Sequence, residues 1–349
     1  MKTISVNASH SYEVVIGERL LTGAGERIAK VAPVQKALVV SDDTVYPLYG
    51  GALEASMRAA GFEVYRYIFP SGEAHKRLST LEEILEALAS AGFCRSDLVV
   101  ALGGGVVGDM AGFAAAIFLR GVQYVQIPTT LLAAVDSSVG GKTAVDLSRG
   151  KNLCGAFHQP SLVLCDTAAL DTLLPLDVQN GLAEMLKYGV ICDPDLFEKV
   201  KNYKTQPIED LIARCVAIKR DVVANDEFDR GRRQLLNLGH TVGHAIEAAS
   251  DFTITHGHGV AAGMAIVARG AEALGLCAAG TAKAICEALD ACGLPTGCPF
   301  DADTLAKLAL SDKKVDGDMI NLIIPKRVGE CVILRVEKTK TRRLIACGL

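Results

Sequence analysis

Residues 97–109 read DLVVALGGGVVGD, a continuous apolar strand that runs straight into glycines and on toward a helical segment at Met110–Leu119. Glycines in that position permit a tight strand–helix turn and close approach of the backbone to a ligand. The flanking chain repeats the alternation. Lys36–Ser41 is a short β-branched run, Tyr46–Ala60 has helical spacing, and Glu63–Ile68 reads as a strand. Thr80–Ala91 places Leu81, Ile84, Leu85 and Leu88 on one helical face, and Tyr124–Ile127 and Leu162–Cys165 are further apolar strands. Met1–Val6 alternates as a short strand. The spacing predicts an α/β fold with a mainly parallel sheet.

Beyond Leu174-Pro175 the period changes. Gly181–Val190, Ile208–Val223, Thr241–Ala249, Val260–Leu274 and Thr281–Leu289 are helical in pattern, and only Asn321–Pro325 and Cys331–Arg335 suggest short strands. The expectation is an α/β domain over 1–175 and a mostly helical domain over 176–349. A chain of 349 residues agrees with that, at roughly 100–200 residues per domain.

With 36 basic and 40 acidic residues the formal net charge is −4, which offers no footprint for nucleic acid or an anionic membrane surface. The chain is 50% hydrophobic and 22% charged, which excludes disordered and fibrous classes. No apolar stretch approaches the ~18 residues of a spanning helix. No charged segment followed by an apolar run opens the sequence, so no signal peptide is read and a cytoplasmic location is expected. The 11 cysteines, Cys94 to Cys347, form no C-x-x-C pair and read as buried free thiols.

Four groups of residues suggest chemistry. Gly103–Asp109 fits G-x-G-x-x-G, a loop that brings a pyrophosphate to a helix N-terminus. It lies late in the chain with no acidic residue about twenty positions on, so it indicates a phosphate-bearing cofactor or a structural turn. Ser71-Gly72-Glu73-Ala74-His75-Lys76 could grip a cofactor's ribose and phosphate, or merely open a helix. Lys142 and Lys151 sit in a polar, glycine-bearing stretch between apolar strands, read as a loop that suits an anionic substrate or is simply solvated. His240 and His244 share a helical face. With Glu184 they offer one carboxylate and two imidazoles, a donor set for zinc with positions left open to substrate. The glutamate of H-E-x-x-H is missing, so the metalloprotease reading fails.

Seven ordered strings extend these motifs: SGEAHK (71–76), GGGVVGDMAGF (103–113), RGVQYVQIPTTLLAAVDSSVGGKTAVD (120–146), GKNLCGAFHQP (150–160), GLAEMLKYG (181–189), RQLLNLGHTVGHAIE (233–247) and HGHGVAAGM (256–264). In these the chain resembles the 3-dehydroquinate synthases, within the sugar phosphate cyclases. The resemblance implies an NAD-binding α/β domain, a helical metal- and substrate-binding domain, and a homodimer with its active site in the cleft between the domains. The implied metal is zinc, with cobalt as an alternative, held by Glu184, His240 and His256. His244 then becomes a hydrogen-bonding or proton-relay group. The implied NAD contacts are Asp42, Ser71, Gly72, Glu73, Ala74, His75, Lys76, Gly104, Gly105, Val106, Val107, Gly108, Asp109, Thr129, Thr130, Asp136, Lys142, Lys151 and Thr172. The substrate, a phosphorylated keto acid, would meet Lys142, Lys151, Asn152, Lys187, Lys219, Arg233, Asn237, His244 and one of Lys313 or Lys314. Arg120 matches an arginine that reaches the neighbouring subunit's site.

One departure is visible. The family commonly carries H-G-E where this chain has His256-Gly257-His258, which makes His258 a rival ligand. The resemblance implies conversion of 3-deoxy-D-arabino-heptulosonate 7-phosphate to 3-dehydroquinate and phosphate. The rival readings are another sugar phosphate cyclase, a metal-dependent polyol dehydrogenase, and a non-catalytic NAD or metal sensor.

Overall fold

A computed structural model of the chain describes every residue except 312–314 and 317, so Lys313 and Lys314 lie outside the described residues. Two compact units emerge: Met1–Leu174 with Cys215–Phe228, and Pro175–Arg214 with Asp229–Leu349.

The first unit is built on strands β1 (Lys2–Val6), β2 (Tyr12–Gly17), β3 (Lys36–Asp42), β4 (Glu63–Phe69), β5 (Leu98–Gly103), β6 (Gln123–Pro128) and, after a hairpin, β9 (Leu162–Asp166). They form one sheet in the order β1-β2-β9-β6-β5-β3-β4, parallel throughout except where β1 runs antiparallel to β2. All six residues of β5 are buried, as a strand covered on both faces requires. Its side chains alternate between two cores. Leu98, Val100 and Leu102 pack with Ile28 of α1 (Ala24–Ile28) and Leu53 and Met57 of α2 (Gly51–Ala59). Val99 and Ala101 pack with Ile84 and Leu88 of α3 (Leu78–Ser90) and Met110 and Ala114 of α4 (Gly105–Ile117).

The chain passes from β3 outward to β4, then returns to place β5 on the other side of β3. The order therefore reverses beside β3, and ligands of open parallel sheets bind beyond the carboxyl ends of the strands at such a point. Asp42 and Gly103 end those two strands.

The structure departs from the sequence reading at three places. The helix after the glycines starts at Gly105, not Met110, because Gly104 already caps it in an extended conformation. The strand β2 escaped the sequence reading. The stretch over 136–152 is not a plain loop: β7 (Lys142–Leu147) pairs antiparallel with β8 (Gly150–Phe157), Thr143 opposite Ala156. The half-exposed pattern of β8 leaves no clean apolar alternation to betray a strand.

The second unit holds α5 (Pro175–Cys192), α6 (Pro194–Lys201), α8 (His240–Ala249), α9 (His256–Ala273), α10 (Thr281–Ala291), α11 (Ala302–Ser311) and α12 (Lys338–Gly348). The division between the units falls inside α7 (Ile208–Asn225). A three-stranded antiparallel sheet, β10 (Val315–Asp316), β11 (Met319–Arg327) and β12 (Glu330–Glu337), exceeds the two short strands expected. The core of this unit joins Val242 and Ile246 of α8, Ile266 of α9, Leu305 of α11, Leu344 and Ile345 of α12, and Ile320, Leu322 and Ile324 of β11.

All 11 cysteines are free, but only Cys165, Cys215 and Cys292 are buried, while Cys94, Cys192 and Cys347 are exposed. Burial was thus expected for too many of them. Among the described residues no helix is long and apolar enough to cross a membrane.

Candidate active site

In the first unit the sequence-predicted residues gather on the turns that follow β3, β4, β5 and β6. Gly104 is the cap of α4 and contributes no side chain. A Cβ there would meet Thr130 Cγ2 at 3.0 Å, so the backbone and the turn after β6 pass in contact. Thr129 is 2% exposed, yet its hydroxyl has no partner among the described residues. Helix N–H groups left open by an uncapped N-terminus, with an orphaned hydroxyl alongside, fit a phosphate-bearing nucleotide. Asp42 lies at the end of β3, where its Oδ1 accepts from the backbone N–H groups of Thr44 (3.0 Å) and Val45 (2.8 Å). Burial pushes its carboxyl up, against those hydrogen bonds.

Lys76 ties this region together. Its Nζ lies 2.6 Å from Asp109 Oδ2 on α4 and donates to Asn152 Oδ1 on β8, also at 2.6 Å. Burial opposes the ammonium charge, but the Asp109 and Glu73 carboxylates outweigh it and hold its pKa above the usual lysine value. Burial likewise pushes Asp109 up, against the pull of Lys76. Lys151 Nζ lies 3.6 Å from Glu73 Oε1, so the turn at 71–76 and the hairpin are joined twice. Lys219, on the part of α7 that belongs to this unit, donates to the backbone oxygen (2.6 Å) and Oδ1 (2.8 Å) of Asp136. Lys142 is exposed at the start of β7. Thr172 shares a 2.6 Å hydrogen bond with the Tyr49 hydroxyl. Arg120 is exposed and follows Leu119 in the left-handed region, with φ values of 70° and 48°.

In the second unit Glu184 sits on α5, fully buried. Neither of its oxygens has a hydrogen-bond partner among the described residues, although Lys187 Nζ makes an ion-pair contact with Oε2. Around Oε1 stand His240 Nε2 at 3.5 Å and His256 Nε2 at 3.4 Å. Three donors bound at about 2.0–2.1 Å in tetrahedral array would lie about 3.3–3.4 Å apart, so the set fits a zinc-like cation. The other ring nitrogens point away: His240 Nδ1 pairs with the Leu238 carbonyl (3.1 Å), and His256 Nδ1 with Glu247 Oε1 (3.0 Å). Burial alone would lower the His256 pKa, but Glu184 and Glu247 outweigh it and hold the imidazolium up to about 10.

Helical spacing pairs His240 with His244, whereas the donor atoms that lie together with those of Glu184 and His240 belong to His256. The third member beside Glu184 and His240 is His256, sixteen residues away in sequence but on the adjoining helix. His244 falls in a second possible set with Glu247 and His256. His258 faces elsewhere, its Nε2 3.0 Å from Gln179 Oε1, and burial lowers its pKa. Arg233 is buried and Asn237 half-buried in the turn Arg232–Asn237 that leads into α8. Sequence reasoning passed over Glu247, which is buried and lies 3.0 Å from His256 Nδ1. It follows His240 by seven and His244 by three, a spacing that would have placed it on their face.

Residues 66–180 match the profile of the 3-dehydroquinate synthase N-terminal region and residues 181–315 that of its C-terminal region. The 3-dehydroquinate synthase of Clostridium acetobutylicum is 41% identical over 99% of both chains, and that of Neisseria gonorrhoeae 42% over 98% of both. Among solved structures, a 2-deoxy-scyllo-inosose synthase complexed with carbaglucose-6-phosphate, NAD+ and Co2+ overlays with a TM-score of 0.89 at 29% identity, covering 100% of both chains. A 2-epi-5-epi-valiolone synthase from Streptomyces hygroscopicus, with NAD+ and Zn2+ bound, gives 0.89 at 28%, covering 99% of this chain and 97% of its own. The chain belongs to the 3-dehydroquinate synthase family.

Proposed function

We infer that the protein is a 3-dehydroquinate synthase, converting 3-deoxy-D-arabino-heptulosonate 7-phosphate to 3-dehydroquinate and phosphate. It is a lyase that uses NAD and a divalent metal, zinc or cobalt. The observation that carries this reading is near-complete alignment with 3-dehydroquinate synthases at 41–45% identity, against 28–29% for the other two cyclases. A glycerol dehydrogenase from Schizosaccharomyces pombe shares only the fold, at 14% identity and a TM-score of 0.67.

When bound, NAD supplies a transient hydride acceptor and the metal a Lewis acid for the substrate's hydroxyls. Oxidation at C5 acidifies the C6 proton, and phosphate then leaves by elimination. Re-reduction, ring opening and an intramolecular aldol close the carbocycle. In this reading the domain over 1–175 is the NAD-binding one and that over 176–349 carries the metal and the substrate. Glu184, His240 and His256 hold the cation. The N-terminus of α4, Thr129 and the Glu73–Lys76 turn hold the nucleotide.

Lys187, Lys219 and Arg233 serve as fixed positive charges for the substrate's carboxylate and phosphate. They are 1%, 6% and 2% exposed, so each charge is held in place by the packing around it. His244 stands beside the metal set, 5.4 Å from His240 between ring centroids, where it can hold a proton for the substrate's hydroxyls. The enzyme is proposed to act in the cytoplasm as a homodimer, with Arg120 serving the neighbouring subunit's site. Supporting that role, Arg120 stands exposed on a left-handed turn with Ile117 and Leu119 exposed beside it. The test is turnover: phosphate release from the heptulosonate phosphate with NAD in catalytic amounts.

A further inference from the structure

The histidine cluster offers two overlapping donor sets, Glu184–His240–His256 and His244–Glu247–His256, with His256 common to both. The ring faces the two sets with different atoms, Nε2 toward Glu184 Oε1 at 3.4 Å and Nδ1 toward Glu247 Oε1 at 3.0 Å, so the nitrogen that carries the proton decides which set can hold a cation. Glu247 rises from α8 and is 1% exposed. Its side chain passes over α9 at Gly259, where a Cβ would meet Glu247 Cγ at 3.1 Å and the Gly243 carbonyl oxygen at 3.0 Å. With only a hydrogen at 259 the Glu247 side chain packs close against α9, and its Oε1 lies 3.0 Å from His256 Nδ1. His256 Nε2 is thereby aimed at Glu184.

We propose that Glu247 is a positioning residue: by accepting from His256 Nδ1–H it fixes the ring's tautomer and orientation, commits Nε2 to the Glu184–His240 set, and keeps itself and His244 out of the metal's coordination. A carboxylate behind a ligating imidazole also makes that imidazole a better donor. The inference rests on the metal reading of Glu184, His240 and His256, and deepens it.

The experiment uses the full-length protein, stripped with a chelator and titrated with Zn2+ against a chromophoric competitor. A parallel reading follows the visible absorption of the Co2+-loaded protein. Glu247→Ala is expected to weaken Zn2+ binding about 10–100-fold and to alter the Co2+ spectrum. Glu247→Gln keeps an acceptor oxygen of the same reach, and is expected to recover most of the affinity and the parent spectrum. Parent-like affinity and spectrum in Glu247→Ala would overturn the proposal. So would Glu247→Gln as weak as Glu247→Ala, which would reduce the contact to packing. Loss in His244→Ala with none in Glu184→Ala would make Glu247 a ligand and overturn it as well. His256→Ala and Glu184→Ala separate the two levels. If both bind Zn2+ like the parent, the metal reading falls and the proposal with it. If both lose Zn2+ while Glu247→Ala does not, only the proposal falls.

Discussion

At the scale of the residue, burial distinguishes ion pairs that look alike in sequence. Lys76 and Lys151 both face carboxylates, but Lys76 is 4% exposed while the Lys151–Glu73 pair lies 26% and 39% open. Lys76→Met strands Asp109 without its cation and is expected to cost about 3–5 kcal/mol, read as a lower denaturant midpoint. Glu73→Gln at the partly exposed pair should stay within about 1 kcal/mol. Equal losses would contradict the assignment of Lys76 as the buried tie. The residues most legible in the sequence were those whose neighbours are local, such as the glycines that follow β5, although the helix behind them begins at Gly105 and not at Met110. The resemblance, not the spacing, supplied His256, because its contact with Glu184 and His240 exists only after three helices meet. Glu247 went unread because a glutamate in a helix usually faces water.

At the scale of the element, small residues set how closely α8 and α9 approach. A Cβ on Gly263 would fall 2.2 Å from the Gly239 oxygen and 2.8 Å from the Gly243 nitrogen, so backbone must give way. Gly263→Ala is expected to cost about 1–3 kcal/mol and to weaken metal binding, since Gly239 leads directly into His240. Unchanged thermal stability would show that the helices accommodate the methyl.

The start of α10 depends on a carboxylate. Glu272 accepts from the backbone N–H groups of Gly280 (3.0 Å) and Ala282 (2.8 Å), and these hydrogen bonds hold its pKa below the usual 4.5. A depressed carboxyl stabilises the fold above its unfolded pKa, and the benefit fades as pH falls through the folded one. Glu272→Gln should therefore unfold at lower temperature than the parent at neutral pH, with the gap closing in acid. A gap independent of pH would contradict this. Helices with a clear apolar stripe, such as α3, were legible from the sequence. The hairpin of β7 and β8 was not, because its two strands bury each other only in part and its composition is that of a polar loop.

At the scale of the whole molecule, the parallel sheet was readable because strands such as β5 are apolar end to end, and that same sheet locates the nucleotide turns. Assembly was not, since a surface arginine carries no mark of the site it serves. If Arg120 completes a neighbouring subunit's site, mixing inactive Arg120→Ala with inactive Lys187→Ala should restore activity. One sound site in each mixed dimer gives about a quarter of the parent rate at full exchange. No recovery in a mixture shown to exchange subunits would assign Arg120 to its own chain's site or to none.

The most direct test of the function incubates the protein with 3-deoxy-D-arabino-heptulosonate 7-phosphate, Zn2+ and NAD well below the substrate concentration. Phosphate release and NADH absorbance are followed together. The account predicts many phosphates released per NAD with no lasting NADH, abolished by a chelator and restored by Zn2+. Absence of phosphate release, with NADH accumulating from simple polyols, would contradict it and make the protein a dehydrogenase.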